Sequence, residues 1–192
     1  MKIFSIVSMS LGLLASSFAQ TGLKVGDPAP LFTAKNQAGT KLELANLLTK
    51  GPVVLVFYRG QWCPYCNKQL SSIQDSLGLI TGKNATVIAV SPEKPESVLK
   101  TIEKTKASFN MVSDIGVDIM TKYKVDFGLD KKALNQYKGY GVDIVKNNGD
   151  NGAKLPLPAT YVIGTDGKIS FVYLDGDYRK RPTVKAIFEA LK

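Results

Sequence analysis

The nine residues RGQWCPYCN, at positions 59–67, decide the interpretation of this sequence. They follow a continuous apolar run at residues 53–58, which is typical of a buried central strand. Residues 68–79 continue as a helical pattern, so the stretch lies where a strand ends and a helix begins. Within it, Cys63 and Cys66 form a C-x-x-C motif that contains both cysteines of the chain.

A metal or haem role for this motif is excluded by the residues around it. Two cysteines are too few for a four-ligand zinc site, and the chain has no histidine to complete one. Covalent haem attachment needs a histidine directly after the motif, where this chain has Asn67. The absence of histidine also excludes Ser-His and Cys-His nucleophile pairs. We therefore expect no metal and no cofactor, and we interpret the motif as a redox-active dithiol.

The position of the dithiol at a helix start predicts its chemistry. Pro64 suits the first helical position because it has no N–H group and its φ angle is fixed. Cys63 then lies at about the N-cap, where free N–H groups and the helix dipole favour a thiolate, and Cys66 lies in the first turn. A structural disulfide is the alternative, but such bridges usually close longer loops. We predict that Cys63 attacks and that Cys66 displaces it from a mixed disulfide.

The remaining pattern predicts an α/β domain. An N-terminal β-hairpin is expected across residues 31–36 and 40–44. Further strands are expected at residues 85–90, 109–112, 159–163 and 169–174, and further helices at 93–106, 115–123 and 182–191. This order implies a mixed central sheet with helices on both faces.

Two segments stand apart from this domain. Residues 1–19 have a lysine, a short apolar stretch and a small-x-small site, so we expect a signal peptide, export to the periplasm and a mature domain at residues 20–192. No later apolar run approaches ~20 residues, so no membrane span is expected. Residues 126–157 contain five glycines and a helical pattern only at residues 130–137, so we expect a mostly irregular insertion, either a lid over the site or a surface decoration.

The basic charge has two interpretations. The formal charge of +9 comes from 25 Lys and Arg residues against 16 Asp and Glu residues. Nucleic acid is one possible partner, but arginine occurs at only three positions and the lysines form no basic stripe. We expect a solvated lysine-rich surface and no nucleic-acid partner.

Three segments, at residues 57–67, 155–163 and 176–181, make the chain similar to the peroxiredoxin-like branch of the AhpC/TSA family. The resemblance extends from about residue 25 to residue 191. It implies a thioredoxin fold in which Cys63 is the attacking or peroxidatic thiol and Cys66 is the resolving one. It also implies a cis peptide bond before Pro158, whose backbone would pair with the substrate. The implied partners are a thiol electron donor, such as a thioredoxin-like protein, and a hydroperoxide or disulfide substrate.

The sequence departs from the family pattern near the motif. Val56 and Gly60 occupy the positions of the proline and the hydroxyl residue in the Pro-x-x-x-Thr/Ser-x-x-Cys motif. Pro158 occupies the position of an arginine on the downstream strand, and Arg59 or Arg181 is the expected substitute. The hydroxyl that polarises the peroxide in typical family members is therefore missing from its usual place.

Phe57 stands where thioredoxins carry a buried acid, so the sequence offers no residue for proton transfer. Trp62, Pro64, Tyr65 and Arg59 are candidates for substrate contact, although core packing is the alternative for the aromatic side chains.

Two functions remain open. One is a thiol-based antioxidant oxidoreductase that exchanges disulfides, reduces hydroperoxides or both, including a thioredoxin-dependent peroxidase in the strict sense. The other is a non-catalytic binding domain with a structural C-x-x-C bridge.

Overall fold

The computed structural model describes residues 22–191, so the predicted signal peptide lies outside the described residues. The strands are β1 (Thr33–Lys35), β2 (Lys41–Glu43), β3 (Val53–Phe57), β4 (Thr86–Ser91), β5 (Asn110–Ser113), β6 (Asp126–Gly128), β7 (Lys154–Pro156), β8 (Ala159–Ile163) and β9 (Ile169–Leu174). The helices are α1 (Leu44–Leu48), α2 (Pro64–Asp75), α3 (Leu77–Thr81), α4 (Pro95–Thr105), α5 (Asp118–Lys122), α6 (Lys131–Gly139), α7 (Ile144–Asn148) and α8 (Val184–Glu189).

The apolar run that precedes the C-x-x-C motif forms the centre of the main sheet. This sheet has five strands in the order β5-β4-β3-β8-β9. β3 is parallel to β4 and antiparallel to β8, and all five of its residues are fully buried. β5 is parallel to β4, and β9 is antiparallel to β8. The expected mixed sheet with a buried central strand is confirmed.

Successive residues of β3 point to opposite faces of the sheet, and each face is covered. One face packs in a core that includes residues of α1, α5 and the β1-β2 hairpin. The other face packs in a core that includes residues of α2, α3, α4 and α8. Helices on both faces and the N-terminal hairpin confirm the predicted thioredoxin fold. Among residues 22–191, no helix combines the length and apolarity needed to cross a membrane.

One helix start differs from the sequence pattern, and the difference affects the site. α2 begins at Pro64, directly after the N-cap Cys63, as predicted. α4, in contrast, begins at Pro95 rather than at residue 93. Glu93 therefore lies in the connection between β4 and α4, where it is fully buried.

The expectation of a mostly irregular insertion at residues 126–157 is wrong. β6 pairs with β7 as a two-stranded antiparallel sheet, and α6 and α7 lie between them. Each helix has an aspartate at its N-cap: Asp130 accepts from the Ala133 N–H group at 2.7 Å, and Asp143 accepts from the Lys146 N–H group at 3.0 Å. The glycines lie at the ends of these elements or between them, so they separate regular elements and do not indicate an irregular chain.

The expectation of a cis bond before Pro158 is also wrong, because no peptide bond among residues 22–191 is cis. The chain reaches Pro158 from β7, and the Leu157 N–H group donates to the Val125 carbonyl at 2.7 Å. This extended connection accommodates a trans bond. Pro158 is buried directly before β8, at a position where its missing N–H group removes no hydrogen bond of that strand.

Candidate active site

The two thiols lie at the N-terminus of α2, directly after the carboxyl end of β3. Cys63 is the N-cap residue and Pro64 the first helical residue, as predicted. The Cys63 Sγ atom accepts a hydrogen bond from the Cys66 N–H group at 3.4 Å. Both thiols are free, and only 1% of Cys63 and none of Cys66 is exposed. The helix start therefore holds two reduced, buried sulfurs one turn apart.

The thiols are hydrogen-bonded to each other, so they ionise as a pair. The hydrogen bond to Cys66 and burial raise the pKa of Cys63. Burial opposes ionisation of Cys66 too, but the Cys63 thiol and the Arg181 guanidinium lower its pKa overall. This is the reverse of the expected distribution, because the cation and the thiol donor both lie at Cys66. Which sulfur attacks first stays a prediction.

Arg181 is the cation in contact with the dithiol. Its Nη2 atom donates to the Cys66 Sγ atom at 3.3 Å. Its Nη1 atom donates to the Tyr178 and Lys180 carbonyl oxygens, at 2.5 and 2.6 Å, which fixes the guanidinium beside the sulfur. One of the two arginines expected to replace the family's missing arginine therefore lies at Cys66.

Arg59, the other expected substitute, is enclosed by three aromatic rings. Its Cζ atom lies 4.4 Å from the ring centroid of Tyr178, 4.9 Å from that of Trp62 and 5.5 Å from that of Tyr137. The guanidinium also donates to the Tyr137 hydroxyl. Burial lowers the pKa of Arg59, and the nearby cysteines oppose this change. Tyr137 belongs to α6, so the insertion contacts the site residue directly.

The other predicted contact residues occupy different parts of the site. Trp62 is half-buried and packs edge-on against Tyr137, with ring centroids 5.2 Å apart. Tyr65 is 40% exposed and forms an outer edge of the site, and Pro64 is exposed beside it. Phe57 pairs with Ala159 across β3 and β8, so Pro158 lies at the same end of the sheet as the motif. Substrate contact by these residues stays a prediction.

Glu93 is a site residue that the sequence analysis missed. Its Oε2 atom accepts from the Gln61 N–H group at 2.8 Å, and its buried Oε1 atom has no partner among residues 22–191. Burial, with the nearby Cys66, raises the pKa of Glu93 to about 8. The parallel pairing of β3 and β4 could have revealed it, because parallel strands end at the same edge of a sheet. The predicted helix start at residue 93 concealed that signal.

Gly60 occupies the family's hydroxyl position and has a conformation that requires glycine. Its φ angle is +151°, and an added Cβ atom would lie 2.6 Å from both Glu93 Oε1 and Trp62 Nε1. These two polar atoms therefore lie where a side chain at position 60 would be. A side chain at position 60 would therefore collide with a carboxylate and an indole N–H group.

A cavity of about 580 Å³ lies beside the dithiol, between α2 and the loop before α8. Tyr65, Gln69 and Ile73 of α2 line one side. The cationic side chains in its lining are Lys68, Arg179 and Arg181, and no acidic residue among those described lines it. Because Arg181 also contacts Cys66, the cavity borders the redox centre.

A free dithiol at a helix N-terminus, on the thioredoxin fold, defines a thiol-dependent oxidoreductase. The chain belongs to the AhpC/TSA family, whose profile matches residues 25–172. It is 30% identical to "Putative peroxiredoxin bcp" of Helicobacter pylori over 145 residues, which cover 76% of this chain and 84% of that protein. It is 26% identical to "Thiol-disulfide oxidoreductase ResA" of Halalkalibacterium halodurans over 180 residues, covering 92% and 85%.

Solved structures support the same fold. The crystal structure of Peroxidoxin BcpB from Mycobacterium tuberculosis superposes with a TM-score of 0.69 at 23% identity. The match covers 88% of this chain and 96% of that chain. The family, the fold and the free dithiol agree on an antioxidant-type thiol oxidoreductase.

Proposed function

We propose that Cys63 and Cys66 exchange electrons with disulfide substrates by forming and breaking a disulfide with each other. The observation that carries this proposal is the pair of free, hydrogen-bonded thiols one turn apart, with the Cys66 N–H group on one sulfur and Arg181 on the other. Both donors stabilise a thiolate. The intramolecular disulfide can form without bringing distant segments together.

The proposed reaction has two exchange steps. The Cys63 thiol passes its proton to the hydrogen-bonded Cys66 thiolate, attacks a substrate disulfide, forms a mixed disulfide and releases one substrate thiolate. That substrate thiolate takes up the proton from Cys66, and the Cys66 thiolate then attacks the Cys63 sulfur and releases the second substrate thiolate. The substrate gains two electrons, and the protein is left with a Cys63–Cys66 disulfide. A thiol electron donor, such as a thioredoxin-like protein, returns the pair to the dithiol state.

Hydroperoxide reduction is the second candidate. The two arginines near the sulfurs favour it, because guanidinium groups stabilise developing negative charge on oxygen. In this reaction the Cys63 thiolate attacks the O–O bond, giving a sulfenic acid and an alcohol or water. Cys66 then condenses with the sulfenic acid and releases water. Gly60 counts against it, because this chain has no hydroxyl at the position where typical family members polarise the peroxide.

Stopped-flow kinetics of the reduced protein distinguish the two candidates. The single tryptophan, Trp62, lies next to Cys63 and serves as the fluorescence signal. The reactants are a model disulfide, an alkyl hydroperoxide and hydrogen peroxide. Disulfide exchange predicts that the model disulfide reacts fastest, whereas faster reaction of either peroxide supports the second candidate. Failure of all three reactants to oxidise the pair contradicts both.

We further propose that the protein is exported to the periplasm. The support is the sequence of residues 1–19, with its lysine, apolar stretch and small-x-small site. N-terminal sequencing of the protein from fractionated cells tests this proposal. A mature start near residue 20 in the periplasmic fraction is expected, and an intact N-terminus in the cytoplasm contradicts it.

A further inference from the structure

The two thiols are shielded from solvent by the protein around them. Only 1% of Cys63 and none of Cys66 is exposed. Thiol-disulfide exchange requires direct contact between the attacking sulfur and a sulfur of the substrate, so its rate depends on access. A substrate disulfide cannot make this contact with a sulfur that is so little exposed. Part of the surrounding protein therefore has to move before Cys63 attacks.

Helix α6 is only weakly attached to the rest of the protein. None of its nine residues is buried. Among residues 22–191, the hydrogen bonds and ring contacts that α6 makes outside residues 130–142 all come from one side chain, Tyr137. A short helix with few buried contacts opens at a low free-energy cost. The position of α6 therefore depends largely on Tyr137.

The next part of the insertion is held firmly, in contrast to α6. Two residues of α7 are buried, and the Asn147 carbonyl accepts the Lys94 N–H group at 3.0 Å. The Asn151 side chain donates to the carbonyl oxygens of Pro92 and Asp114 at 2.7 and 2.9 Å. These bonds fix the second half of the insertion to the connections that follow β4 and β5.

The chain between α6 and α7 is suited to a hinge. Gly139 is the last residue of α6, and Gly141 follows it with a φ angle of +77°. Glycine tolerates backbone angles that other residues avoid, and hinges are often formed by small residues at the end of an element. α6 can therefore move about this point while α7 stays in place.

Tyr137 contacts the residues that lead into the C-x-x-C motif. Its hydroxyl accepts a hydrogen bond from the Arg59 guanidinium, whose Cζ atom lies 5.5 Å from the ring centroid. Its ring packs edge-on against Trp62, with centroids 5.2 Å apart. Trp62 directly precedes Cys63 and packs against the core cluster that contains both thiols. Tyr137 therefore covers the side chain next to the attacking sulfur.

We propose that Tyr137 determines which disulfides reach Cys63. With α6 closed, Tyr137 lies over Trp62, and a bulky disulfide reaches the sulfur only after α6 has moved Tyr137 away. A small disulfide requires a smaller opening, so the closed helix selects against large substrates. This inference rests on the proposed disulfide exchange and adds a residue that controls access to it.

The test compares Tyr137→Ala with Tyr140→Ala, a control that removes a tyrosine that is 73% exposed at the end of the same helix. The substrates are hydroxyethyl disulfide and a disulfide-linked dimer of a small folded protein that has one cysteine. We expect Tyr137→Ala to speed exchange with the dimer about 10-fold and with the small disulfide less than about threefold. The control should keep both rates within about twofold of the wild type. An equal increase for both substrates, or the same increase in the control, overturns the inference.

Alkylation of Cys63 by iodoacetamide, located by mass spectrometry, measures access without any exchange step. We expect it to be about 10-fold faster in Tyr137→Ala and about threefold faster in Tyr137→Phe, which keeps the ring but loses the hydrogen bond to Arg59. Thiolate absorbance corrects each rate for a change in ionisation. An unchanged alkylation rate overturns the role of Tyr137. If alkylation speeds up but no disulfide oxidises any of these proteins, the proposed exchange fails and the role in access stands.

The wild-type protein provides a measurement that does not depend on a variant folding. Its rate of reaction with the protein dimer should level off at high dimer concentration, because opening of α6 then limits the reaction. Amide hydrogens of α6 should also exchange with solvent faster than those of α7. A rate that rises linearly with dimer concentration, or equal protection of the two helices, contradicts the inference.

Discussion

Two parallel strands of the main sheet are followed by buried acids, and the surroundings of these acids differ. Asp114 follows β5, and its two oxygens accept the N–H groups of Ile119 and Met120 at 3.1 and 2.9 Å. It is therefore a fully paired cap for α5. Glu93 follows β4 with one oxygen unpaired. Burial raises the pKa of both carboxyls, so burial alone does not identify a functional acid. What distinguishes Glu93 from Asp114 is its unpaired oxygen.

The same contrast extends to the neighbouring side chains. We call the surroundings of Glu93 and the thiols the redox edge, and the surroundings of Asp114 the structural edge. At the redox edge, the Nε atoms of Arg59 and Arg181 and the Nε1 atom of Trp62 are buried without partners among residues 22–191. Proteins satisfy most buried polar atoms, so we expect such a cluster of exceptions where another molecule or a proton is handled.

The largest effect is expected from the cysteines of the redox edge. Cys63→Ser should abolish turnover, because it removes the predicted attacking sulfur. Cys66→Ser should attack once and then stop as a mixed disulfide or sulfenic acid, because no second thiol resolves it. Steady-state turnover and mass spectrometry of the trapped adduct check both outcomes. If the Cys63→Ser variant still attacks the substrate and the Cys66→Ser variant does not, Cys66 is the attacking thiol and Cys63 the resolving one.

The pH dependence of stability compares the two acids directly. The folded-state pKa of Glu93 is raised from 4.5 to about 8, because burial favours the protonated carboxyl. The contribution of this carboxyl to the free energy of unfolding is therefore fully present below about pH 4.5 and is lost as the pH rises through 8. The wild-type free energy of unfolding should therefore fall relative to Glu93→Gln, by up to about 5 kcal/mol, between about pH 5 and 9. Denaturant unfolding at several pH values measures this difference.

Asp114→Asn should behave differently, because the amide can accept only one of the two helix N–H groups. We expect it to destabilise the protein by about 1–3 kcal/mol at neutral pH. If Asp114→Asn instead stabilises the protein there, or Glu93→Gln shows no pH-dependent gain, the distinction between paired and unpaired acids is wrong.

A glycine from each edge provides the next comparison. Gly60→Ala should destabilise the protein by about 3 kcal/mol, because it combines a φ angle of +151° with a clash against Glu93 and Trp62. Gly116→Ala, beside Asp114, has a φ angle of +82° but open space around its added methyl group. It should cost about 1 kcal/mol. If thermal unfolding shows the same loss of stability for both variants, Glu93 and Trp62 do not occupy the space beside Gly60.

The smallest expected effect concerns two arginines of the C-terminal loop. Arg181→Gln should raise the pKa of the Cys66 thiol by about one unit, because it removes the guanidinium on that sulfur. Arg179→Gln is the matched control, since Arg179 is exposed and paired with Asp177. Thiolate absorbance against pH measures both variants. A shift of equal size in the control would point to a long-range charge effect instead of the contact with Arg181.

Most of the fold could be predicted because its signals are local. The apolar run of β3, the proline that opens α2 and the hairpin turn each specify an element through neighbouring residues. The segment at residues 126–157 could not be predicted in the same way. Its glycines suggested irregular chain, whereas its order comes from two aspartate caps and from the pairing of β6 with the distant β7.

The candidate site likewise has features that depend on neighbouring residues and features that depend on distant ones. The C-x-x-C motif and the N-cap position of Cys63 follow from adjacent residues, so the sequence predicts them. The positions of Arg181, Tyr137 and Glu93 depend on contacts between residues that are far apart in the chain. Arg181 in particular lies 115 residues from the sulfur that it contacts. The distribution of charge between the two thiols was predicted incorrectly because it depends on the hydrogen bond between the thiols and on that contact.

The reduction potential of the Cys63–Cys66 pair tests the central claim most directly. It is measured by equilibrating the protein with redox buffers and separating the dithiol and disulfide forms. A pair that exchanges electrons in turnover should have a potential well above about −300 mV, in the range of catalytic dithiols. A potential below about −300 mV would mean that the bridge is a stable structural disulfide, and it would contradict the proposed exchange.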